Sequence, residues 1–186
     1  MIKFGKKLAE DKNYFITSDL HFCHKNILKF SPDTRPFKEV DHMTESLIQE
    51  WNSKVKPEDV VFHLGDFSFL GGEATKKIIE RLNGTIVFIL GNHDKTIRNQ
   101  VDTEYKFDYF ETRYKGHKIV MSHYAMREWN QKGRGSLHFF GHSHGSLAGV
   151  GRSMDVGYDV EGRIFTLDEV VNRMLKISDY GVNDHH

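Results

Sequence analysis

Five short motifs hold most of the residues in this chain that could do chemistry. They are Asp19-Leu20-His21, Gly65-Asp66, Gly91-Asn92-His93-Asp94, Ser122-His123 and Gly141-His142-Ser143-His144-Gly145. Each sets Asp, Asn or His beside Gly or at the end of an apolar run. Taken singly, Gly-Asp and Gly-Asn pairs are ordinary turn formers. Taken together, the five supply carboxylate, amide-oxygen and imidazole donors for two divalent metals. That mixture suits Mn, Zn, Fe, Co or Ni, whereas Ca prefers oxygens alone. Asp19 and His21 lie two apart, so in an extended segment both project to one side and can reach one ion. His142 and His144 share that spacing. The carboxylate of Asp66 has two oxygens and can bridge two ions.

Formal charge then favours phosphate. Two carboxylates against two divalent cations leave about two units of positive charge at the centre, which suits an anionic substrate. Paired metals acidify a bridging water, and the resulting hydroxide can attack phosphorus in line. His93 stands beside Asn92, and an imidazole there could pass a proton to the leaving oxygen. His24 and Asn26 follow the first motif closely and could line the pocket, although Asn26 could equally cap a short helix. Arg35, Arg127 and Arg134 could clamp phosphate through a guanidinium fork, whereas an arbitrary Arg more often faces solvent. Cys23 reads as a small packed residue, because the attacking group is water. His42, His63, His117 and His138 fall inside predicted helices or strands and read as structural.

These residues need a scaffold that gathers them. The chain alternates strand-like and helix-like segments without repeats, as an α/β chain does. Strands are predicted at 13–17, 59–64, 85–90, 107–112, 118–121, 137–140, 153–159 and 163–166. A helix is predicted over 40–55, where Val40, Met43, Leu47, Ile48, Trp51 and Val55 recur at spacings of three and four. A second covers 73–82 and stops at Asn83-Gly84. A third starts at Thr166 or Asp168 and runs to about Ile177. Five of the strands run straight into a motif. Residues just past the carboxyl ends of neighbouring strands meet at one edge of an α/β sheet, and Gly65, Gly91 and Gly141 let the chain turn sharply there.

Composition sets the outer bounds. A chain of 186 residues fits one domain spanning 1–186. Lys plus Arg and Asp plus Glu number 26 each, so net charge calls for neither nucleic acid nor membrane. The one cysteine, Cys23, rules out an intramolecular disulfide and suits a reducing compartment. The opening residues lack a signal-peptide pattern, and no run approaches the roughly 20 apolar residues of a membrane helix. A cytoplasmic protein with no membrane partner is expected. The closing Asp184-His185-His186 reads as a frayed polar end rather than a metal site.

The five blocks resemble the calcineurin-like metallophosphoesterases, whose pattern is D-x-H, G-D, G-N-H-D/E, a late H and G-H-x-H. Residues 19–144 carry all five in order. The resemblance implies an α/β fold, a four-layer α/β/β/α sandwich of two mixed sheets flanked by helices. Strand patterning alone leaves a doubly wound single sheet open. The resemblance further implies that Asp19, His21, Asp66 and His144 hold one metal. Asp66, Asn92, His123 and His142 would hold the other, with Asp66 shared, Mn the favoured ion and His93 the catalytic histidine.

One departure narrows the family. Protein Ser/Thr phosphatases continue the second block as G-D-x-x-D-R-G, whereas this chain reads Gly65-Asp66-Phe67-Ser68-Phe69-Leu70-Gly71. It lacks the Asp that would orient the histidine and the Arg that would clamp phosphate. A phosphodiesterase is therefore favoured over a protein phosphatase, with a cyclic or linear nucleotide as a reasonable substrate by family analogy. The stretches 19–27, 34–37 and 122–129 resemble the small bacterial and phage-type members. The rival readings are a non-catalytic interaction scaffold and a nuclease. Retention of His93 and all seven ligand positions argues against the first, and the neutral composition gives no sign of the basic groove the second needs.

Overall fold

The structure is a computed structural model that describes residues 7–180, so Asp184-His185-His186 lies outside the described residues. In chain order the elements are β1 (Tyr14–Thr17), α1 (Ile27–Phe30), α2 (Val40–Lys54), β2 (Val60–His63), α3 (Gly72–Glu80), β3 (Thr85–Ile89) and α4 (Lys95–Gln100). There follow β4 (Lys106–Phe107), β5 (Tyr109–Tyr114), β6 (His117–Ser122), β7 (Leu137–Phe140), β8 (Ser153–Asp155), β9 (Phe165–Thr166) and α5 (Leu167–Leu175). One sheet has the order β4-β3-β2-β1-β9 and the other β5-β6-β7-β8. Both are mixed. In the first, β1 to β4 are parallel and β9 is antiparallel. In the second, only the β5–β6 pair is antiparallel.

The parallel strands read as unbroken apolar runs because both of their faces are covered. Tyr14, Ile16, Val60, Phe62, Val87 and Ile89 face the second sheet and pack with Phe110, Ile119, Met121, Leu137 and Phe139. Their alternates Phe15, Val61, Ile86 and Phe88 pack outward against Met43, Leu47, Ile48 and Trp51 of α2, Ile78 of α3 and Ile97 of α4. α5 sends Val170, Val171 and Met174 into the core between the sheets and lies against β1, β9 and β8. Thr166 caps it, its side chain accepting from Glu169 N at 3.2 Å. The result is two mixed sheets flanked by helices, not a single doubly wound sheet.

Two predicted strands differ, and two short helices were not foreseen. The strand expected at 107–112 is two strands: Lys106-Phe107 pairs with β3, and Tyr109–Tyr114 pairs with β6 in the other sheet. The apolar pattern runs on through the crossing, so nothing local marks it. The strand expected at 153–159 ends at Asp155, because the chain turns into a short 3-10 helix over Tyr158–Val160. α1 and α4 are too short to show a helical period.

Candidate metal centre

β1, β2, β3, β6 and β7 deliver Asp19, Asp66, Asn92, His123 and His142 just past their carboxyl ends. The first three strands are mutually parallel, as are the last two, so the motifs collect at one edge. The backbone there is unusual. Asp19, His21, Asp66, His142 and His144 have φ of 57°, 50°, 56°, 67° and 49°, the left-handed region that non-glycine residues avoid. Each such residue costs about 1–3 kcal/mol and persists only where its surroundings over-determine it. Asp19 N donates to Gly65 O at 2.9 Å, His21 N to Asp66 O at 3.1 Å and Phe22 N to Phe67 O at 2.9 Å. The buried Asp94 carboxylate accepts from Asp66 N, Phe67 N and Gly91 N at 2.8–2.9 Å. It thereby ties the Gly65-Asp66 turn to the Gly91-Asn92 turn.

The donors fall into two sets. Asp19, His21 and His144 offer ligand atoms all within 4.8 Å of one another, and so do Asp66, His123 and His142. Asp66 faces both sets: its Oδ1 lies 3.6 Å from His123 Nε2 and its Oδ2 lies 3.8 Å from His21 Nε2. Asp19 Oδ1 stands 3.8 Å from His21 Nε2 and 3.9 Å from His144 Nε2. These separations are too long for hydrogen bonds and suit atoms that share a cation. His142 and His144 belong to different sets despite their two-residue spacing, because the left-handed residues break the alternation of an extended strand.

Chemistry supports the same reading. Asp19 Oδ1 and both ring nitrogens of His21 are buried and make no hydrogen bond, and a cation would satisfy the carboxylate oxygen and the imidazole lone pair, which are otherwise costly to bury. His123 Nδ1 approaches Leu64 O at 2.7 Å and must donate, since a carbonyl only accepts. The opposite nitrogen, Nε2, then presents a lone pair 3.0 Å from Asn92 Oδ1. Two acceptors at that distance call for a positive charge between them. Burial pushes the Asp19 carboxyl up to about 6. Burial, reinforced by His144, drives the His21 imidazole down to about 2, which keeps the ring neutral with one nitrogen lone pair free to coordinate.

A second layer orients these donors. His144 Nδ1 donates to Asp159 Oδ2 at 2.6 Å, which turns Nε2 towards the centre. Burial would lower the His144 pKa, but Asp159 and then Asp19 outweigh it and raise it. Burial alone would raise the Asp159 carboxyl, but His144 and Arg35 hold it below the usual carboxylate range. Arg35 donates through Nε to Asp159 Oδ1 at 2.8 Å, and through its terminal nitrogens to Leu20 O at 2.9 Å and Asp19 O at 2.6 Å. The Arg35 side chain is fully buried. It therefore cannot clamp a substrate phosphate, as the sequence had suggested. Its fork is spent on Asp159 and on the backbone of the first motif.

The sequence pattern described as the calcineurin-like phosphoesterase superfamily domain matches residues 13–156. The chain belongs to this superfamily. An uncharacterised protein of Methanocaldococcus jannaschii is 40% identical over 114 residues, covering 60% of this chain and 58% of that protein. The chain thus matches little more than half the length of that relative. The gene 66 protein of Mycobacterium phage L5 is 26% identical over 196 aligned positions, covering 85% of this chain and 92% of its own. A solved protein of unknown function from Aquifex aeolicus superposes with TM-score 0.67 at 24% identity, over 88% of this chain and all of that one, a likeness of fold.

In this calcineurin-like phosphoesterase the remaining sequence-derived residues sit as follows. His93 is exposed; its backbone N donates to Asp66 Oδ1 at 2.9 Å, and its ring packs 4.6 Å from that of Phe69. His24 stacks directly on the Phe69 ring, with centroids 3.7 Å apart. Asn26 is exposed and makes no side-chain cap bond to α1. Arg127 lines a cavity with Met126, Lys132 and Leu147, and Arg134 is exposed in a short 3-10 helix. Cys23 is half-buried, with its N and Sγ against Thr44 Oγ1. His63 and His138 are buried in the core, as expected of structural residues. Sequence reasoning missed Asp159 entirely and left Asp94 unassigned. Only the position of Asp94, directly after His93 in the third motif, offered a signal.

Proposed function

We propose that this chain is a dinuclear metal-dependent phosphodiesterase, working as one domain over residues 1–186. The observation that carries the reading is the position of Asp66, whose two carboxylate oxygens face different donor sets at 3.6 and 3.8 Å. Asp19, His21, Asp66 and His144 would hold one divalent cation. Asp66, Asn92, His123 and His142 would hold the other. Two such ions, Mn by family resemblance, with Zn, Fe, Ni or Co also suited to this donor mixture, would supply a Lewis-acidic centre that activates water and neutralises phosphoryl oxygens. His93 is exposed at the mouth and held through its backbone by Asp66. From there it donates a proton to the leaving oxygen as the ester bond breaks. Asp94 and Asp159 touch no substrate and keep the donors in place. The diester preference draws on Phe69 and Leu70, which stand where protein phosphatases carry Asp and Arg.

The test is hydrolysis of bis(4-nitrophenyl) phosphate with Mn²⁺ added. Turnover that depends on metal, saturation at two ions per chain, and a fall of about 10²–10⁴ in kcat for His93→Ala are the expected results. A protein that binds Mn²⁺ but turns over no phosphoester of any kind would be a scaffold, and the reading would fail.

A further inference from the structure

Nothing polar aims the His93 ring. Its backbone N is fixed on Asp66 Oδ1 at 2.9 Å, but among the described residues the ring itself makes no hydrogen bond. An exposed imidazole in that state is free to change rotamer. Its neighbours are aromatic. The His21 ring stands edge-on at 6.1 Å, and the Phe69 ring lies closer, at 4.6 Å and tilted by 36°. Phe69 is 40% exposed, so it does not serve to fill the core. His24 braces it, with ring centroids 3.7 Å apart and planes 8° from parallel. The backbone beneath Phe69 is held on both sides. Phe69 N donates to Phe22 O at 3.1 Å. Ser68 Oγ and Thr75 Oγ1 are hydrogen-bonded at 2.8 Å. Leu70 O accepts from Thr75 Oγ1 at 3.2 Å and from Thr96 Oγ1 at 3.1 Å. Thr96 follows His93 closely, at the start of α4. The turn that carries Phe69 is therefore tied to the segment that carries His93.

Ring pairs at this separation attract through dispersion and quadrupole terms, and a ring standing on a fixed turn removes rotamers from its neighbour. We infer that Phe69, braced by His24, is a positioning residue that holds the His93 imidazole at the donor sets. It does so by packing instead of by a hydrogen bond. Position 69 is also the place in the second motif where protein phosphatases carry Asp, and here it is Phe. An apolar ring fixes the imidazole without setting a further negative charge beside an anionic substrate, where like charges repel. This rests on the phosphodiesterase reading, in which His93 passes a proton to the leaving oxygen, and adds what aims it.

The test uses the Mn²⁺-loaded protein and bis(4-nitrophenyl) phosphate. Phe69→Ala should lower kcat about tenfold, a part of the roughly 10²–10⁴ that a proton donor supplies. KM should stay within about twofold, since an aimed proton donor acts on the transition state and not on substrate binding. In a His93→Ala background the same substitution should cost nothing more, because no imidazole is left to aim. Phe69→Tyr keeps the ring and should hold kcat within about twofold of the parent. Both variants should keep the parent's Mn²⁺ stoichiometry. Four results would overturn the proposal and leave the phosphodiesterase reading standing. They are an unchanged kcat, an equal loss in the His93→Ala background, a rise in KM alone, which marks a substrate platform, and a loss of Mn²⁺, which marks support of His21. If the parent hydrolyses no phosphoester, that reading falls by itself, and nuclear magnetic resonance of the Zn²⁺-loaded protein still decides the role of Phe69. Overhauser contacts between the two rings, with His93 ring resonances that move to those of a free imidazole in Phe69→Ala, support it. Absent contacts or unmoved resonances overturn it.

Discussion

Asp159 lies outside every sequence motif, yet it governs the first donor set. It accepts from His144, Arg35 and Thr34, the last at 2.6 Å. Asp159→Asn keeps the size but loses the charge that orients the imidazole. A drop of about 10–100-fold in metal affinity is expected, as for other partners behind metal-bound histidines, read by competition with a chelator. Unchanged affinity would mean that packing alone holds His144. Arg35→Met leaves Asp159 and its histidine without their buried counter-charge. Breaking such a pair costs about 3–5 kcal/mol, so the urea midpoint should fall sharply; a loss below about 1 kcal/mol would contradict the assigned role. Neither residue's role was legible from the sequence. An arginine beside a proline looks the same whether it grips a phosphate or a carboxylate 124 residues away.

At the scale of elements, the strands were legible and the turns after them were not. Apolar runs such as 59–64 and 85–90 give their strands away because parallel strands are buried on both faces. The turns depend on close approach between motifs. A methyl group on Gly91 would strike Asp66 Oδ1 and come within 2.7 Å of Asp66 N. One on Gly141 would strike Ser18 Oγ and come within 2.7 Å of Asp19 Oδ2. Gly91→Ala should therefore displace the shared carboxylate while leaving the strands intact. A shift of about 1 Å at a reacting centre costs on the order of 10²-fold in rate. The expected outcome is a loss of that size, with fewer than two Mn²⁺ bound per chain and unchanged far-ultraviolet circular dichroism. Full metal occupancy in this variant would show that the turn has slack. The split between β4 and β5 belongs to the same scale, since a strand that changes sheets at Asp108 keeps a continuous local pattern.

Among the described residues, two buried histidines lie away from the centre, and both contribute to acid sensitivity. Burial drives His63 down to about 3. Burial also lowers His138 to about 4, against a smaller opposing hydrogen bond to Val120. Unfolded, both titrate near 6.5. Between those values the unfolded chain binds more protons than the folded one, so stability rises with pH through the window. It is fully present above 6.5 and lost progressively as pH falls to about 3. Thermal unfolding with chelator present should show this slope, and His63→Leu should flatten it. Equal slopes for parent and variant would remove His63 from the account. Metal acts at the same scale: at 100 times its Kd, each bound Mn²⁺ should add about 2.7 kcal/mol to stability, raising Tm in a concentration-dependent way. No helix among the described residues is long and apolar enough to cross a membrane.

The sequence by itself determined which donors are available and that they lie past strand ends. Residue type limits what can bind a metal, and an apolar run followed by glycine is a local signal. Only the tertiary structure decided how those donors are shared. Asp19, His21 and His144 meet on one side, and Asp66, His123 and His142 on the other. Left-handed backbone at His142 and His144 splits a pair that two-residue spacing would have put together. It also decided that Arg35 turns inward to Asp159, because pairing between residues so far apart depends on how the sheets stack and leaves no trace in local spacing.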